Sequence, residues 1–114
     1  MTPRLAALVS TALFLALPAR AQTPTTTELY TVRCSACHML DGKAPIVEMN
    51  FADGAWKNGS KLSDVTKVIK EGVAGTAMLP FKEQLSEKEI EALAKYVRAF
   101  DKALKPDSSA PAKK

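Results

Sequence analysis

Two cysteines, one histidine and one tryptophan are all that this 114-residue chain contains of those types, and the scarcity excludes much. Zinc needs four protein donors at a structural site, or three plus water at a catalytic one. Cys34, Cys37 and His38 lie on one helical turn, and no second cysteine or histidine exists to complete a tetrahedron. At most one disulfide can form. No segment alternates apolar and polar residues with period two, so nothing supports a sheet. There are no internal repeats. No basic run interleaved with aromatics speaks for nucleic acid. Beyond the first two dozen residues, no apolar run is long enough to span a bilayer.

The chain opens MTPRLAALVSTALFLALPARAQ. A short basic start at Arg4, an uncharged apolar run over residues 5–17, a break at Pro18 and the small residues Ala19 and Ala21 predict a secretory signal cleaved after Ala21. As a membrane anchor the run is too short, since roughly 20 residues are needed. No cysteine follows for lipid attachment. With Arg4 and Arg20 removed, the formal net charge of +4 drops by two. The chain that remains has a mixed-charge surface. Residues 22–104 are expected to form one domain and residues 105–114, KPDSSAPAKK, a disordered polar tail. A domain this small buries limited apolar surface and tends to need a disulfide, metal or cofactor.

What is present points to helices. Thr25 and Glu28 have capping-box spacing, and a helix is expected over about 26–37. Residues 39–59 hold Gly42, Pro45, Gly54 and Gly59 and read as loop and turns. From Ser60 a second helix carries Leu62, Val65, Val68 and Ile69 on one face and ends at Gly72. Ser86 and Glu89 make another capping box. The helix it opens, expected to reach about residue 104, buries Ile90, Leu93, Ala94, Val97 and Phe100. The fold class is all-α, with three to four helices.

The chemistry is concentrated in CSACH, residues 34–38. A dithiol redox pair usually begins a helix after a strand, where its thiol is acidified; here the pair ends a helix and no strand precedes it. A plain disulfide across one helical turn is strained. Covalent haem attachment is the third reading, and C-x-x-C-H is its pentapeptide. Two thiols bond the two vinyl groups on one porphyrin edge, and the next residue offers its imidazole to the iron. Export favours this reading, because the attachment is made outside the cytoplasm. A low-spin electron-transfer haem takes a sixth ligand, commonly methionine. Met39 adjoins the histidine too closely to reach the opposite face. Met49 is a candidate in a loop. Met78, in GTAMLPF between two helices and flanked by Gly75 and Pro80, is the expected ligand. Met39 and Met49 are expected to be ordinary packing residues.

Taken together, CSACH, GVAGTAMLPF and LSEKEIEALAKYVRAF resemble a class I, single-haem cytochrome c of the small bacterial type, over about residues 25–102. The resemblance implies one covalent haem c, with thioethers from Cys34 and Cys37, His38 as proximal ligand and Met78 as distal ligand. It also implies that the Pro45 carbonyl accepts from the other nitrogen of His38, and that Trp56 donates its N–H to a haem propionate. Tyr30, Leu93 and Tyr96 would form the crossing of first and last helices, with Thr26 as the small crossing residue. Met39 stands where the family usually has glycine.

The expected function is a periplasmic one-electron carrier, not an enzyme, acting as a monomer. Its partners would be a redox donor and a redox acceptor, without nucleic acid and without stable membrane insertion once the signal is cleaved. Lys43, Lys57 and Lys82 are candidates for steering acidic partners. Two alternatives stay open: a haem enzyme or gas sensor with an open or labile sixth iron position, and a haem-free thiol oxidoreductase.

Overall fold

The computed structural model describes residues 3, 12, 13, 15–19 and 21–107. Most of the expected signal, residues 1–21, and residues 108–114 of the expected tail lie outside the described residues. Among those described, every regular element is helical: α1 (Thr26–Arg33), α2 (Ser35–His38), a single 3-10 turn (Val47–Met49), α3 (Leu62–Glu71) and α4 (Glu87–Arg98). No described helix is long and apolar enough to cross a membrane.

Both predicted capping boxes form. The Thr25 hydroxyl accepts from Glu28 N–H while the Glu28 carboxylate accepts from Thr25 N–H, and Ser86 and Glu89 repeat the arrangement. Each box satisfies two N–H groups that the first helical turn leaves without partners.

The helix bounds differ from expectation in three places. The first helix breaks at Cys34 (φ −119°, ψ −38°). There the Ser35 hydroxyl bonds back to the Thr31 carbonyl at 2.7 Å, a side-chain competition that bends helices. The second helix starts at Leu62, because the Ser60 carbonyl is taken by Arg98 Nε at 2.6 Å. Its first N–H groups find acceptors elsewhere: Leu62 N–H donates to Asp107 and Lys61 N–H to Asp64. Asp107, expected to belong to the polar tail, thus caps α3 across 45 residues of chain. The last helix ends at Arg98. Beyond it Phe100, Asp101 and Leu104 bond three residues back, and the Asp101 carboxylate takes up Ala103 N–H.

The core is where α3 packs on α4 and α1 crosses α4. It comprises Tyr30, Leu62, Val65, Ile69, Leu85, Ile90, Leu93, Ala94 and Val97. Tyr30 and Leu93, both fully buried, sit at the α1–α4 crossing. The Tyr30 ring lies 4.9 Å from Tyr96 and 5.3 Å from Phe100, within the range of favourable aromatic pairs. Val68 and Phe100, expected to be core, are half-buried. Cys34, Phe51, Trp56, Met78 and Phe81 pack against the cluster from its edge, so the chemistry-bearing side chains border the apolar interior.

Candidate haem site

Cys34, Cys37 and His38 occupy the short turn around α2. Cys34 is half-buried against the core and Cys37 is exposed; both are free thiols. Burial, and secondarily the neighbouring Cys37, pushes the Cys34 thiol up to about 11. A nucleophilic or redox thiol is acidified instead.

His38 is held on two sides. Its Nδ1 lies 2.7 Å from the Met49 carbonyl, and its ring stacks on Phe51 with centroids 4.2 Å apart and planes 19° apart. Burial lowers its pKa while the Met49 contact opposes that shift; the net direction is down, so the imidazole stays neutral, the form that binds metals. With Nδ1 directed at a carbonyl, Nε2 is the nitrogen left for iron.

The resemblance implies the Pro45 carbonyl as the acceptor for Nδ1; in this structure the carbonyl at Nδ1 is that of Met49. Pro45 is exposed, and the acceptor lies at the end of the 3-10 turn Val47–Met49. The Trp56 indole N–H donates to the buried Asp101 carboxylate at 2.8 Å. Phe51, stacked between His38 and Trp56, and Asp101 carry no signal in the sequence that marks them for the site. The Tyr30 hydroxyl adds a third contact of this kind. It donates to the Met39 carbonyl at 2.6 Å, whereas the sequence places Tyr30 in the helix crossing alone. The only sequence signal for the bond is a buried ring whose O–H must find an acceptor.

Met39 itself has φ 62° and ψ 158°, a region nearly confined to glycine that costs other residues of order 1–3 kcal/mol. It is the one non-glycine residue at positive φ among those described.

Met78 sits at the end of a tight loop. Val73 N–H donates to the Met78 carbonyl at 2.9 Å, and Met78 N–H to the Thr76 hydroxyl at 3.2 Å. Phe81 and Lys82 N–H groups then take the Ile69 and Lys70 carbonyls at the end of α3. The Met78 side chain is half-buried against the core. The donor set fits a covalently bound haem: two unpaired thiols three residues apart, an imidazole with one nitrogen engaged, and a thioether on a hydrogen-bonded loop bordering the same apolar cluster.

Burial, and then the nearby Cys34, Tyr96 and Asp41, raise the Tyr30 hydroxyl above the ordinary tyrosine range, so it remains a donor at neutral pH. The unfolded hydroxyl ionises near pH 10. The folded state holds its proton longer, so the stability is intact below about pH 10 and declines as pH rises beyond it. Thermal melts at pH 9 and 11 are expected to show a larger drop for the unmodified protein than for Tyr30→Phe.

The family model described as cytochrome c oxidase, cbb3-type, subunit III matches residues 21–97. Among solved structures, the c-type cytochrome KustC0563 is 33% identical, with a TM-score of 0.57, covering 68% of this chain and 98% of that one. Cytochrome c6 from the diatom Phaeodactylum tricornutum is 26% identical, with a TM-score of 0.57, covering 68% and 92%. Cytochrome c6C from Synechococcus sp. PCC 7002 is 22% identical, with a TM-score of 0.58, covering 68% and 95%, a likeness of fold. No curated protein matches the chain.

Proposed function

The chain belongs to the class I cytochrome c family, and from that membership we propose that it is a periplasmic one-electron carrier whose single covalent haem is ligated by His38 and Met78. Family membership makes it an electron-carrying c-type haem protein. The observation that carries the finer reading is the fastening of His38 Nδ1 to the Met49 carbonyl one residue after a free C-x-x-C pair. That arrangement suits a proximal ligand.

Bound haem supplies a reversible Fe(III)/Fe(II) couple. The chain's residues do the rest. Cys34 and Cys37 would hold the haem by thioethers. The Met49 carbonyl sets the His38 tautomer and strengthens the imidazole as a donor. The thioether of Met78 would favour the ferrous state and raise the potential. The apolar cluster bordering Cys34 and Met78 disfavours the added positive charge of ferric iron. His38 and Met78 would together leave the bound group no open place for substrate. The signal at residues 1–21 directs export, and a redox donor and acceptor dock from outside.

Mass spectrometry of protein matured in a cell with haem-attachment machinery tests the reading. The expected species begins at Gln22, carries one haem and has no free thiol. Its ferric spectrum shows the weak near-infrared methionine-to-iron band. Met78→Ala is expected to abolish that band and let the ferrous form bind carbon monoxide. Ready carbon monoxide binding by the unmodified protein would instead favour a gas sensor or haem enzyme.

A further inference from the structure

Between His38 and Phe51 the chain makes a closed excursion that one buried hydroxyl ties to the α1–α4 crossing. Tyr30, fully buried on α1, donates its O–H to the Met39 carbonyl at 2.6 Å. Gly42 N–H donates to the same carbonyl at 3.2 Å, and the Gly42 carbonyl accepts from Phe51 N–H at 2.8 Å. The loop is therefore tied at its start and its end. The Met49 carbonyl bonds the imidazole at Nδ1 and the Phe51 ring stacks on its face, and both lie at the far end of that loop. Its first residue, Met39, has the φ of 62° that only surrounding contacts can maintain in a residue with a Cβ.

We propose that the Tyr30 hydroxyl is a positioning group for the axial histidine. By holding Met39 at positive φ it sets the loop that brings the Met49 carbonyl and the Phe51 ring to His38, and through them it tunes the iron's potential. The inference rests on the ligand role of His38 proposed above. An Nδ1–H bonded to a well-placed carbonyl makes the imidazole a stronger donor and favours ferric iron. Loosening the loop weakens that bond and shifts the balance toward ferrous iron. Phenylalanine at position 30 keeps the ring packed on Tyr96 and Phe100 and removes only the hydroxyl.

Four haem-loaded proteins test this: the unmodified chain, Tyr30→Phe, Met39→Gly and the double variant. Two readouts are used, the midpoint potential and the proton resonance of the His38 Nδ1–H in the diamagnetic ferrous form. Tyr30→Phe is expected to raise the ferrous-to-ferric ratio at fixed solution potential by roughly threefold or more. It is also expected to move the Nδ1–H resonance upfield while the methionine band persists. Glycine at 39 adopts the required conformation unaided, so in the Met39→Gly background the effect of Tyr30→Phe should fall to less than half.

A variant that melts earlier but leaves potential and resonance unchanged overturns the proposal, as does a full shift in the double variant. If Tyr30→Phe alone yields no holoprotein, recovery of holoprotein in the double variant supports the clamp and its failure there overturns it. Failure of the haem reading looks different: the unmodified chain itself would lack the haem mass.

Discussion

With Met78 as the proposed iron ligand, Gly72→Ala is expected to detach it while the haem stays covalently bound. Gly72 ends α3 with φ 68° and ψ −170°, where a Cβ is disfavoured. The added methyl would also stand 2.6 Å from the Met78 carbonyl oxygen and 2.8 Å from both the Leu79 carbonyl carbon and the Pro80 nitrogen. All three are backbone atoms of the loop that carries Met78, so no side chain can rotate away. The Val73 N–H bond to the Met78 carbonyl closes the same loop and would be pushed apart. Conformational strain alone is of order 1–3 kcal/mol, and the clash adds to it. The near-infrared methionine band should vanish, the potential should fall, and the ferrous form should take up carbon monoxide. Gly75→Ala provides the control. Gly75 has φ 75°, but a methyl there would meet no atom within 4 Å. That variant bears the strain without the clash and should keep most of the band.

Cys34→Ala/Cys37→Ala is the second large effect. The buried core is short, with Tyr30, Leu62, Ile90 and Leu93 as its largest fully enclosed side chains, and a domain of this size leans on its cofactor. Without thioethers, haem would be held by the proposed ligands His38 and Met78 alone, and its contribution would follow mass action. At a free concentration a thousand times Kd that contribution is about 4 kcal/mol, and it vanishes on dilution. The double variant is expected to melt at least about 10 °C lower than the unmodified holoprotein. Its Tm should climb with added haem, whereas that of the unmodified protein should not. A Tm independent of added haem and equal to the unmodified value would mean that the tether does not support the fold.

The helices and the attachment motif are legible in the sequence because their information is local. Thr25 with Glu28 and Ser86 with Glu89 are three residues apart, and each box closes within one turn. The apolar spacing of Leu62, Val65 and Ile69, and of Ile90, Leu93 and Val97, follows from 3.6 residues per turn. CSACH carries two thiols and an imidazole in five consecutive residues, so no tertiary contact is needed to bring them together. The break at Cys34 is not visible there, because it depends on whether the Ser35 hydroxyl turns to solvent or to the Thr31 carbonyl.

By itself, then, the amino-acid order pointed to a small helical c-type haem protein. Such a statement needs only residue types at short spacings. What surrounds the histidine was decided by tertiary structure. Every residue has a carbonyl, so nothing in the letters distinguishes Pro45 from Met49 as the acceptor for His38; the register of the loop does. Trp56 and Asp101 meet across 45 residues of chain, and Tyr30 reaches Met39 only once α1 has bent at Cys34. Those contacts are chosen by where the packed helices leave each loop, because a buried donor must bond whichever acceptor the fold delivers to it.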